Sequence, residues 1–386
     1  MTEPPAMAWS RRIVGAWAVA AGVLAATAAF AGGSVAPRVL WHVSGRAWGT
    51  PVWSDGTVYT LSASHEVIAV EARTGRRRWQ VVTGEAGEGT RGSRLLTGGA
   101  LVIVGDDNVV AMEKTSGRVA WRFKPKVGYE PGLYLGEASD GLLFAGSPAG
   151  QLYAIDAATG VLRWQATVGD AAQTTVYAPV VSGEIVAAGF TTFGSPTGGG
   201  VVAVDAKTGH VRWRRIFPIP AVPTIDTGMA GGPVATDDAI IVGRRDGVVE
   251  ALDRRTGFVQ WSLPPARASG ASAGANQHDF RALAASGGVL VVGSLTGEVA
   301  AFAAATQRAR WRVVPSATSV AFAVAADRGV AYVPFMSGEI VAIDAATGVE
   351  RWRVGGGDRP FRWPPLVIGH RLYAASSTAG LFAFAF

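Results

Sequence analysis

The eleven residues Ala154-Ile155-Asp156-Ala157-Ala158-Thr159-Gly160-Val161-Leu162-Arg163-Trp164 decide how this chain folds. Thr159-Gly160 supplies a tight turn, with the glycine free to take positive φ. Asp156, just upstream, is placed to accept backbone N–H bonds around that turn. Trp164 then lies on the strand leaving the turn, as an anchor able to bury about 150–250 Å². The stretch therefore reads as the last hairpin of a small antiparallel sheet.

The unit recurs along the chain. Complete copies run from Ala203 to Trp213, Ala251 to Trp261 and Ala342 to Trp352. Two copies carry Glu for Asp, Ala69 to Trp79 and Ala111 to Trp121, the second with Ser116 for Thr. Ala301 to Trp311 is degenerate, with Ala303 and Gln307 at the Asp and Gly positions. Successive tryptophans at Trp79, Trp121, Trp164, Trp213, Trp261, Trp311 and Trp352 stand 41 to 50 residues apart. Between them lie short apolar runs such as Val289-Leu290-Val291-Val292, bounded by Gly, Asp and Ser clusters. A repeat of roughly 40–45 residues with four strands is a propeller blade.

The termini set the blade number. The chain stops at Gly380-Leu381-Phe382-Ala383-Phe384-Ala385-Phe386, which matches a third strand without its fourth. Arg38-Val39-Leu40-Trp41 matches the missing one, and Trp41 lies 38 residues before Trp79. The sequence thus predicts an all-β, eight-bladed propeller of four-stranded antiparallel blades over residues 38–386. Its N-terminal strand joins the C-terminal blade, closing the ring and removing its free sheet edges.

Composition agrees and excludes whole chemistries. Of 386 residues 49% are hydrophobic, 17% are charged, 51 are Gly and none is Cys. Disorder needs low hydrophobicity and high net charge. Disulfide scaffolds, cysteine-ligated metals and thiol nucleophiles all need Cys. The net charge is +6, but the basic residues are spread along the chain and no concentrated stripe marks nucleic-acid binding. Arg76-Arg77-Arg78 falls in a strand pattern and reads as a solvated edge.

Residues 1–37 read as an address. Ser10-Arg11-Arg12 precedes an uncharged apolar stretch from Ile13 to Phe30. That is the pattern of an export signal, with the arginines retained on the cytoplasmic side. Ala26-Thr27-Ala28 and Ala29-Phe30-Ala31 offer cleavage sites, so a cleaved signal and a retained anchor both stand. Either way the propeller is expected outside the cytoplasm, on a periplasmic or extracellular face. A retained segment would hold it to the inner or cytoplasmic membrane. No lipobox exists, because no Cys does.

The eleven-residue motif resembles the tryptophan-docking repeat of eight-bladed quinoprotein propellers, over about residues 38–386. In that superfamily the tryptophan packs against the neighbouring blade's motif, a role that falls here on Trp41, Trp79, Trp121, Trp164, Trp213, Trp261, Trp311 and Trp352. The resemblance implies one of two functions. One is that of the dehydrogenases of alcohols and sugars, which use pyrroloquinoline quinone (PQQ) with calcium. The other is non-catalytic, as in BamB-type proteins of outer-membrane assembly and propeller sensor domains of membrane kinases. The methanol-type enzymes carry large insertions and an adjacent cysteine pair over the cofactor, and this chain has neither. The expectation is a non-catalytic, monomeric scaffold or ligand-sensing module without cofactor, meeting protein partners in the cell envelope. A PQQ-dependent dehydrogenase is the alternative.

Candidate ligand or partner residues come from the long connections between blades. Phe123–Tyr134 carries Tyr129 and Glu130, Ile216–Gly231 carries Asp226, and Pro264–Arg281 ends in Asn276, His278, Asp279 and Arg281. No catalytic or metal-ligating set is assigned among them. Asp106-Asp107-Asn108 looks like a calcium loop but aligns with a hairpin between second and third strands, where positive φ is wanted. Gly189–Gly200, with Phe190 and Phe193, reads as a long form of the same hairpin and a plausible partner-contact loop.

Overall fold

A computed structural model describes residues 37–386 except 85–93, 126–131, 171, 195–196, 219–226, 230, 264–279, 295–296, 307, 317–320, 322 and 358. Its described residues form eight antiparallel sheets and no helix. In blades 1 to 7 the strands follow in chain order from the channel outward, as in blade 1 with Ala47–Ser54, Thr57–Ser62, Glu66–Glu71 and Arg77–Val82. The inner strand of blade 4 is split into Thr174–Val176 and Val180–Ser182 around Pro179, which has no N–H to give a ladder.

Blade 8 is built from both ends of the chain. Leu366–Ile368, Arg371–Ser376 and Gly380–Ala385 are its first three strands, and Arg38–Val43 is its fourth. Arg38 stands opposite Ala385 and Val43 opposite Leu381. The ring closes as the sequence predicts.

The cores lie between blades. Tyr59, Leu61 and Val67 of blade 1 meet Leu95, Val102 and Met112 of blade 2, and the same arrangement joins blade 8 to blade 1 through Tyr373, Leu381, Val58 and Val70. The middle strands are thus covered on both faces, which is why they read as continuous apolar runs rather than alternations. All five residues of Leu101–Gly105 are buried. The outer strands keep one face in water, and Arg77 and Arg78 are exposed on theirs.

The repeated motif does what its residues dictate. Asp156 Oδ1 accepts from the Ala158 and Thr159 N–H groups and the Thr159 hydroxyl at 2.8–3.1 Å, and Asp205, Asp253 and Asp344 repeat the pattern. Arg163, Arg212 and Arg351 add an ion pair to the other carboxylate oxygen, a partner the motif did not announce. The preceding blade's tryptophan lies against the turn. A Cβ on Gly160 (φ +74°) would fall 2.6 Å from the Trp121 ring, and one on Gly257 (φ +72°) 2.5 Å from that of Trp213. The indole N–H groups of Trp41, Trp79, Trp164, Trp213 and Trp311 each donate to a carbonyl of that turn. Blade 8 lacks the turn, and Trp352 packs instead on Tyr332 and Phe386.

Gly189–Gly200 is mostly sheet rather than loop. Strands Ile185–Thr192 and Gly198–Asp205 pair along eight positions, and Phe190 is a core residue opposite Gly200. Phe193, at the end of that ladder, is exposed.

Candidate functional site

The strand order fixes two faces. One carries the hairpins between second and third strands together with the connections between blades. The other carries the turns between first and second and between third and fourth strands. The long connections singled out in the sequence belong to the first face. Tyr129, Glu130, Asp226, Asn276, His278 and Asp279 lie outside the described residues. Arg281 falls in the inner strand Phe280–Ser286 of blade 6, and its side chain lies outside the description. Nearby, Met229 is fully buried and its N–H donates to Thr191 Oγ1 at 3.0 Å.

Two buried polar clusters occupy this first face. At the seam of blades 4 and 5, Glu250 accepts from Arg215 Nε at 3.0 Å and from Arg244 NH1 at 3.2 Å. Arg244 also holds Asp246 and stacks over Phe217 at 5.1 Å. Each carboxylate there faces a guanidinium, so the charges are compensated locally.

The seam of blades 1 and 2 differs. His65, in the hairpin of blade 1, meets Asp106, in that of blade 2, with 2.7 Å between Nδ1 and Oδ2. Both are almost fully buried, and Asp107 Oδ2 lies 4.0 Å from the same Nδ1. Asp106 Oδ1 is buried without a hydrogen-bond partner, and so is Asn108 Oδ1. Burial pushes the Asp106 carboxyl up, against the hydrogen bond and charge of His65 that pull it down. Thr83, where the next connection begins, donates through N–H and hydroxyl to the His65 carbonyl at 2.7 and 2.8 Å.

This cluster corrects one expectation. Asp106-Asp107-Asn108 is the hairpin expected, with the Asp106 N–H bonded to the Asn108 carbonyl. None of the three takes positive φ, however, so φ does not explain the acids. The residue that does is His65, at 58°. The repeat places Gly150, Gly247, Gly297 and Gly338 at the equivalent position, all with positive φ. A histidine where the repeat uses glycine, with two acids in the next blade's hairpin, was the signal available in the sequence.

Beside the inner strands of blades 5 and 6 lies a cavity of about 220 Å³ lined by Gly232, Val234, Ala282, Ala323, Arg362 and Trp363, among others. Ligand pockets usually measure about 300–1,000 Å³. Its lining includes one cation, Arg362, and no carboxylate. On the described inner strands the acids are Glu137 and Asp327. Glu137 Oε2 accepts the Val181 N–H at 2.9 Å, and Asp327 pairs with Arg328 in the turn on the other face. PQQ with calcium needs several hard oxygen ligands around one ion. The described part of this cavity's lining supplies none of them.

The family model described as outer membrane protein assembly factor BamB matches residues 20–133, 105–319 and 295–386. The chain belongs to this family. BamB from Moraxella catarrhalis superposes with a TM-score of 0.55 at 19% identity, covering 76% of this chain and 96% of that one. A quinohemoprotein alcohol dehydrogenase from Pseudomonas putida HK5 superposes with a TM-score of 0.69 at 13% identity, covering 90% and 76%. These likenesses are of fold. In sequence, the serine/threonine-protein kinase AfsK of Streptomyces griseus is 36% identical over 138 residues, which is 33% of this chain. The chain spans only 17% of that kinase's length. The BamB-like fold therefore has relatives of quite different activity, and the fold does not choose among them.

Proposed function

We propose that this member of the BamB family is a non-catalytic interaction module, exported and held at a membrane by Ile13–Phe30. The observation that carries the reading is a set of exposed apolar side chains on the second face. They occupy the first or second position after the motif glycine. Val161, Val211, Phe258 and Val349 are 55%, 56%, 75% and 63% exposed there. A lone exposed apolar residue needs no explanation. The same turn carrying one in blades 3, 4, 5 and 7 forms an arc suited to a protein partner. Arg38 opens the fourth strand of blade 8 and so starts on this same face. A tether ahead of it would turn the arc toward the membrane, and the partner is then an envelope protein met there. Among the described residues no helix is long and apolar enough to cross a membrane, and Ile13–Phe30 lie outside them.

The test is cross-linking in cells through a photoreactive residue placed at Phe258 or Val349. A discrete protein adduct is expected, lost on adding Val211→Asp and Val161→Asp with no change in melting temperature. Labelling indistinguishable from that at exposed Val82, on another part of the surface, would overturn the proposed face.

A further inference from the structure

We propose that the seam between blades 1 and 2 binds a first-row divalent cation of the zinc or manganese type, through His65 Nδ1 and the carboxylates of Asp106 and Asp107. Among the described residues this is the one place where three such side chains converge, with their ligand atoms all within 4.8 Å of one another. Zinc bonds to imidazole nitrogen and carboxylate oxygen run about 2.0–2.2 Å, so two ligands of one tetrahedral ion stand about 3.4 Å apart. The observed 2.7 Å and 4.0 Å from His65 Nδ1 bracket that spacing.

Proximity alone would not make a site. The independent observation is the buried, unpartnered Oδ1 of Asp106, in a residue only 1% exposed. A buried carboxylate oxygen left without donor or cation carries its full desolvation penalty. Asn108 Oδ1, in the same hairpin, is a second orphaned acceptor. The seam of blades 4 and 5 shows how this fold satisfies buried acids when arginine is used, with Glu250 taking donors from Arg215 and Arg244. At the seam of blades 1 and 2 a metal ion supplies the positive charge instead.

Gly84 keeps the necessary room. A Cβ there would lie 2.8 Å from His65 Nδ1 and 3.1 Å from Asp106 Oδ2. The donor set also indicates the ion. One imidazole with two carboxylates suits zinc or manganese, whereas calcium and magnesium favour all-oxygen shells. The ligands sit on hairpins between second and third strands, not on the strands lining the channel. Bound ion would join blade 1 to blade 2 and hold the Thr83–Gly84 connection above them. It would also offset the left-handed backbone that His65 adopts to present its ring.

The full chain, stripped with a chelator, is titrated with ZnCl₂, MnCl₂ and CaCl₂ by calorimetry and by thermal melting. One saturable zinc or manganese ion per chain is expected, with a melting temperature that climbs with ion concentration because the folded state alone binds it. Calcium at equal concentration should do much less. Loss of an outer-shell partner weakens metal sites about 10–100-fold, and Asp107→Asn or His65→Gln should exceed that. Gly84→Ala, which keeps every ligand, should weaken binding by filling the space. Absence of saturable binding to the native chain, or variants that bind as it does, would overturn the site. If the variants misfold, the native chain with Co²⁺ decides: paramagnetically shifted His65 ring signals support the site, and unshifted ones refute it.

Discussion

Asp205 shows what a single motif residue contributes. The Arg212 guanidinium, with Thr208, holds its carboxyl down at about 2, against an ordinary value of 3.8. A carboxylate with a depressed folded pKa stabilises the fold above its unfolded pKa, and that contribution disappears as pH falls through the folded value. Melting temperature should therefore drop as pH falls from about 4 toward about 2. Asp205→Asn should lower it at neutral pH and flatten that acid limb. An unchanged pH profile in the variant would contradict the assignment. Trp213 is the larger anchor, 8% exposed, its N–H donating to the Arg254 carbonyl at 2.9 Å. Trp213→Ala should cost about 3–5 kcal/mol in denaturant unfolding. His65 is the residue that sequence reasoning missed. Its partner is 41 positions away in the next blade, beyond the reach of any pattern read along one unit.

At the scale of the element, the hairpin between third and fourth strands was almost wholly legible. Asp, Thr, Gly and Trp each have a role that elementary stereochemistry assigns, and the turn around Asp156 realises it. What was not read was the arginine that closes Asp156, Asp205 and Asp344, although Arg163, Arg212 and Arg351 recur just before the tryptophan of each unit. Gly257→Ala tests the turn. Its φ of +72° and the 2.5 Å approach to the Trp213 ring both oppose a side chain. A loss of about 1–3 kcal/mol is expected from the backbone strain alone. A neutral result by denaturant titration would show that the turn and the neighbouring indole give way easily. The hairpin of blade 2 was the harder case. Its acids look like ordinary turn formers, and the signal against that lay one blade earlier, in His65 at a position where the repeat uses glycine.

For the whole molecule, repeat spacing and the two incomplete ends predicted the ring, including the exchange of Arg38–Val43 into blade 8. Deleting those residues leaves the strand Gly380–Ala385 as an open edge and removes Trp41 from the turn of blade 1. One cooperative transition at a lower melting temperature is expected for the entire ring. An unchanged melt would refute closure as a source of stability. The candidate site was much less legible than the ring. Sequence directs attention to the long connections, which vary most between blades. The described structure draws it instead to a buried seam and to an exposed arc of turns, neither of which interrupts the repeat.

An interaction module and a quinoprotein differ in whether quinone and calcium are bound and used. The direct measurement is a titration of the full chain with PQQ and calcium, followed by dye reduction with alcohols and sugars. No saturable quinone absorbance and no turnover above the protein-free control are expected. Saturable binding coupled to substrate-dependent dye reduction would contradict it.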